Sequence, residues 1–125
     1  MAESEKPIIW IGSSLDDLRA FPEEVKDVIG FALHDAQQGG KDPRAKPLKG
    51  FKGAGVLEVV DDYDGDTYRA VYTVKFEGFV YALHAFQKKS KTGIKTAKAD
   101  LNKIETRLKL AAADFFKRKK EASNG

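Results

Sequence analysis

Residues 68–91 read YRAVYTVKFEGFVYALHAFQKKSK, two apolar runs that meet at Glu77-Gly78 and end in a cluster of lysines. Val71, Tyr72, Thr73, Val74 and Phe76 precede the turn, and Phe79, Val80, Tyr81, Leu83 and Phe86 follow it. Branched and aromatic side chains at this density suit a pleated surface and lose rotamer freedom in a helix. The stretch is therefore predicted to be a β-hairpin. Neither run alternates cleanly between apolar and polar residues, so the hairpin belongs in the middle of its sheet, with cover on both faces.

Immediately before it, Val56-Leu57-Glu58-Val59-Val60 is predicted to be a neighbouring strand, joined to the hairpin by the acidic turn Asp61–Asp66. That turn lacks the downstream glutamate and flanking helices of a calcium loop. Gly50, Gly53 and Gly55 mark a turn but not a phosphate loop, because no lysine followed by Ser or Thr closes the pattern. Further out, Lys41–Lys46 is predicted to be a surface connection. Pro7–Ile11 is predicted to be an edge strand, and Ser13 or Ser14 to cap a brief helix that stops near Phe21-Pro22. Pro22 at a first helical position starts a longer helix with Val25, Val28, Ile29, Ala32 and Leu33 on one face. His34 lies at the border of that face and is read as structural. On the other side of the hairpin, Thr96 is predicted to cap a final helix striped by Leu101, Ile104, Leu108, Ala111, Ala112 and Phe115. Lys117-Arg118-Lys119-Lys120 then opens a basic tail over about 117–125, whose polar end is expected to fray. The fold class implied is α+β: a small, antiparallel-rich sheet with an N-terminal helix pair on one face and a C-terminal helix.

At 125 residues the chain suits a single domain over 1–125. Its start carries acids where a signal peptide would carry basic residues, and no apolar run approaches the roughly 20 residues of a membrane span. A cytoplasmic location without membrane contact is expected. With no cysteine and two histidines, thiolate chemistry is excluded, and neither a metal site nor a cofactor is expected. Residues 88–121 hold 12 Lys and Arg against 4 Asp and Glu, whereas residues 1–87 hold 10 against 15. Such polarity points to a polyanionic partner, nucleic acid first.

Leu48-Lys49-Gly50 before a strand, Tyr68-Arg69-Ala70-Val71-Tyr72 opening the next and Leu83-His84-Ala85-Phe86-Gln87-Lys88-Lys89-Ser90 closing the last resemble RelE/HigB-type toxins of bacterial toxin–antitoxin pairs. The similarity is to the phage-derived, HigB-like branch, and it covers Ile8 to about Phe116. It implies a RelE-like fold, a ribosome-dependent endoribonuclease acting on messenger RNA, and a cognate antitoxin protein as partner beside ribosome and mRNA.

Cleavage of RNA without metal sends the 2′-hydroxyl against the adjacent phosphate, which requires oriented substrate, charge stabilisation and proton transfer. By the resemblance, Arg69 stands where family members place an arginine on the scissile phosphate, and Lys88 and Lys89 match a basic pair ending the last strand. A competing reading pairs Arg69 with Asp61 or Asp62 across the turn. Some relatives carry a tyrosine or histidine near the chain end for proton transfer. Here that region offers only lysines, arginines and acids, which leaves His84 and Glu58 as substitutes. His84 has a suitable proton affinity but sits among apolar residues as a core histidine would. Glu58 can instead hold Arg69 or Lys88 in place. Lys49, Lys91 and Lys95 are further candidates for RNA contact. Two other classes share these features: a ParE-like toxin that inhibits gyrase without cutting RNA, and a noncatalytic nucleic-acid-binding module.

Overall fold

The computed structural model describes residues 5–51, 53, 55–88 and 96–124. Among them the elements run β1 (Ile8–Trp10), α1 (Ser14–Arg19), α2 (Glu23–Gln37), β2 (Ala45–Pro47), β3 (Val56–Tyr63), β4 (Asp66–Thr73), β5 (Val80–Lys88) and α3 (Lys98–Asn124). The strands form one sheet in the order β1-β5-β4-β3-β2. The predicted hairpin is β4–β5, and it occupies the interior of the sheet as its continuous apolar runs require. Tyr68–Thr73 and Val80–Ala85 are buried throughout. The fold is α+β with a mixed sheet: β1 pairs in parallel with β5, and the other neighbours are antiparallel.

Two layers cover the sheet. On one face Leu18 and Phe21, from α1 and its end, and Val25, Ile29, Ala32 and Leu33 of α2 pack on Val59, Ala70, Tyr72, Val80 and Ala85. On the other face Ile104 and Ala111 of α3, with Leu108 and Phe115, pack on Val56, Val71, Tyr81 and Leu83. The periodic apolar stripes of α2 and α3 thus each bury against a different side of the hairpin.

Several local expectations are corrected. The connection expected over Lys41–Lys46 contains the start of β2, because Ala45 is buried and pairs with Val59. Pro22 is the residue before α2 rather than its first helical residue: its extended ψ of 151° leaves Glu23 to open the helix. Thr96 does not cap α3. Leu101 N–H donates to Ala97 O, so the helix begins later, and the Thr96 hydroxyl accepts from Arg69. The basic run Lys117–Lys120 continues α3, and the polar end expected to fray is helical too, since the helix runs to Asn124. The first hairpin strand also ends earlier than expected, with Val74 and Phe76 in the connection. The Glu77-Gly78 turn itself is present: Phe79 N–H donates to Phe76 O, and Gly78 takes a φ of 89°, a conformation that favours glycine.

One irregularity governs the site. In β5, Ala82 is opposite Tyr72 and His84 is opposite Val71, so Leu83 is an extra residue in the ladder. Side chains alternate along a strand, and a bulge resets the alternation. Val80 and Ala82 face the α2 side, whereas His84, Phe86 and Lys88 face the α3 side with Val71, Arg69 and Thr67.

Candidate RNA-binding and catalytic face

The register aligns three transverse rows on the α3 side of the sheet. Lys46, Glu58, Val71 and His84 form the first, Val60, Arg69 and Phe86 the second, and Asp62, Thr67 and Lys88 the third. Residues diagonal to one another across adjacent rows lie within reach of long side chains. Arg69 uses this diagonal. Its Nη1 donates to Glu58 Oε2 at 3.2 Å, and to Thr96 Oγ1 at 3.3 Å. Asp61 and Asp62 are not what binds it, because Asp61 faces the other side of β3 and Asp62 accepts from Thr67. The side chain of Arg69 is only 6% exposed and that of Glu58 18%, so the pair neutralises a charge that burial would otherwise penalise strongly.

His84 is also buried, with its ring stacked on Phe86 at 4.5 Å between centroids. Its Nε2 lies 2.8 Å from Asp100 Oδ1. A carboxylate accepts only, so this contact assigns the ring proton to Nε2 and leaves the lone pair of the neutral ring on Nδ1. Nδ1 has no hydrogen-bond partner among the described residues. Burial lowers the imidazole pKa below its ordinary 6.5; the hydrogen bond and charge of Asp100 oppose that shift without reversing it, and Arg107 and Lys103 add to it. The ring is consequently neutral at pH 7.

Asp100 is held in register by the helix that carries it. Arg107, two turns along α3, donates to Leu83 O at 3.0 Å and to Ser13 Oγ at 3.1 Å. This guanidinium lies against Gly12, whose φ is 59°; a Cβ there would come within 2.8 Å of it. The clamp joins α3 to the bulge and to the start of α1. Beside His84 a cleft of about 630 Å³ runs along β5, lined by Phe21, Tyr68, Phe86, Gln87, Asp100 and Lys103 among others.

The structure therefore brings Arg69, Glu58, His84 and Lys88 onto one face. Lys88 is half-buried at the end of its row. Lys49 is exposed and lines a different hollow, with Phe51, Gly53 and Val56. Lys89, Lys91 and Lys95 lie outside the described residues. The sequence alone does not disclose the contact of Asp100 with His84, although it places this acid early in α3; the signal lies in the spacing of seven residues to Arg107. Nor does it disclose Lys46 and Arg44 as members of the face, because β2 resembles a connection.

Comparison with known families uses most of this architecture. A model of the phage-derived protein Gp49-like family matches residues 16–109, from α1 to the middle of α3. The chain belongs to the Gp49-like family. This is a RelE-like toxin family of toxin–antitoxin systems, in keeping with the α+β sheet and its C-terminal helix. No curated protein and no solved structure matches the chain. Among the described residues of this Gp49-like protein, no helix is long and apolar enough to cross a membrane.

Proposed function

We propose that this Gp49-like chain is the HigB-type toxin of a toxin–antitoxin pair, a ribosome-dependent endoribonuclease that halts translation by cutting messenger RNA. The observation that carries the reading is the convergence of Arg69, His84 and Lys88 on one sheet face, with Glu58 and Asp100 orienting the first two. The reaction needs no cofactor. The 2′-oxygen forms a new bond to phosphorus, the bond from phosphorus to the 5′-oxygen breaks, the departing 5′-oxygen takes a proton from solvent water, and a cyclic phosphate and a 5′-hydroxyl result.

Each residue has a role in that step. Arg69 exchanges its contact with Thr96 for a phosphate oxygen and stabilises the charge that grows on the phosphoryl group, while Glu58 keeps the guanidinium aimed. His84, neutral at pH 7, takes the 2′-hydroxyl proton at Nδ1. Lys88 holds the RNA backbone at the open end of β5. In this reading the ribosome presents the message to this face in a strained, opened conformation. A cognate antitoxin with an acidic segment neutralises the same face.

Expression without the partner tests this. Growth should stop with loss of protein synthesis and with cut messages on polyribosomes, while the purified protein should cut free RNA poorly. Growth arrest with intact messages and stalled DNA replication would favour gyrase inhibition, and undisturbed growth at high expression would remove the toxin reading.

A further inference from the structure

Across β3 from the Arg69–Glu58 pair, a further cation comes from a strand that the sequence hides. Lys46 of β2 is opposite Glu58 in the ladder and is exposed. With Pro43, Arg44, Glu58 and Val60 it lines a cleft of about 310 Å³ on the edge of the sheet opposite to Lys88. The segment that delivers these cations is built before any ligand arrives. Ala45 N–H donates to Asp42 O at 2.9 Å, closing the turn Asp42-Pro43-Arg44-Ala45 with proline at its second position. Buried Asp42 also accepts from Arg44 N–H at 2.8 Å through Oδ1. Its carboxylate lies 3.7 Å from Arg44 Nη1, a loose contact that leaves the guanidinium more than half exposed.

The geometry points to a second phosphate-binding station formed by Arg44 and Lys46, which takes the backbone of the single-stranded RNA beyond the scissile centre. It rests on the endoribonuclease reading only for the identity of its ligand. Three strand spacings separate β5 from β2, about 14 Å in all, so a strand of RNA laid across the rows meets Lys88, then Arg69, then Lys46. Glu58 does not repel it from this path, because its charge is matched by Arg69. A rigid turn presents Arg44 at little entropic cost, and the exposed Lys46 supplies a mobile point charge.

The test is binding of a short single-stranded RNA, 2′-O-methylated so that it resists cleavage, measured by fluorescence anisotropy across a salt series. Both residues are exposed, so Arg44→Ala, Lys46→Ala and the double variant are expected to melt like the wild type. The double variant should bind roughly tenfold more weakly, and its salt slope should fall by about 0.7 for each phosphate that is no longer neutralised. Lys46→Arg should retain affinity. An unchanged affinity and slope in the double variant, or no binding by the wild type, overturns the station; an edge-strand lysine then serves only to discourage sheet-to-sheet pairing. Cleavage on programmed ribosomes is read in parallel. Weaker binding by the double variant, with no cleavage by the wild type, keeps the station and removes the nuclease.

Discussion

Arg69 Nη1 and Glu58 Oε2 lie 3.2 Å apart on adjacent strands, one row out of step, both largely shielded from water. The register makes this contact possible, since direct pairing would have set Arg69 against Val60 alone. Breaking a buried ion pair leaves a charge uncompensated, so Glu58 is structural as well as orienting.

Glu58→Gln should therefore destabilise the protein by about 3 kcal/mol, because it leaves the buried cation without its counter-charge. Urea denaturation measures this. A loss within about 0.5 kcal/mol, ordinary for a surface substitution, would show that water screens the pair already.

The pH dependence follows from His84. Its folded pKa is lowered by burial, so the folded state binds a proton less readily than the unfolded chain. The stability that this neutral ring contributes is present above the unfolded value of 6.5 and is lost as pH falls through the folded pKa. His84→Gln should flatten that slope. Asp100→Asn should lower the ring's midpoint further, by removing the hydrogen bond and charge that oppose burial; an NMR titration of the ring resonances reads the midpoint, and a value that rises in Asp100→Asn would contradict the assignment.

Docking of α3 depends on Ile104, which is fully buried against the sheet. Ile104→Ala should cost about 2–5 kcal/mol. Because the same helix carries Asp100, the variant should also lose cleavage at temperatures where it remains folded. Full activity in the folded variant would mean that the placement of α3 does not matter to His84.

Much of the architecture is legible in the sequence because periodicity carries it. The continuous apolar runs around Glu77-Gly78 announce a central hairpin, and the stripes of α2 and α3 announce helices. The face of the site is not legible. Reading along β5 with strict alternation puts His84 and Phe86 on the side of Val80, under α2; the single extra residue at Leu83 moves them to α3. Nothing in Ala82-Leu83-His84 distinguishes a bulge from regular strand. β2 is hidden for a different reason: three residues ending in proline are too short to show a period, and the pairing with β3 alone makes them a strand. Of the two readings for Arg69, the one that has Glu58 hold it is met, and the one that pairs it with Asp61 or Asp62 is not, because nearness in sequence is a poor guide to which strand face a carboxylate occupies.

An acidic antitoxin segment on this face should bind through charge. Calorimetry of the complex should show affinity that falls as salt rises. Insensitivity across a wide range would assign the interface to apolar contacts, such as those offered by exposed Phe116 and Leu110 on α3.

On the proposed function, Arg69 acts by directed hydrogen bonds on the phosphoryl group and not as one cation among many. Single-turnover cleavage on programmed ribosomes, with ribosome binding measured separately, compares Arg69→Lys with Lys119→Ala. Lysine keeps the charge opposite Glu58 but lacks the planar fork, whereas Lys119 lies far along α3 with its Nζ over Phe115. Arg69→Lys should retain binding and lose on the order of 100-fold in rate, while Lys119→Ala should change cleavage little. Equal, small losses in the two variants would contradict it.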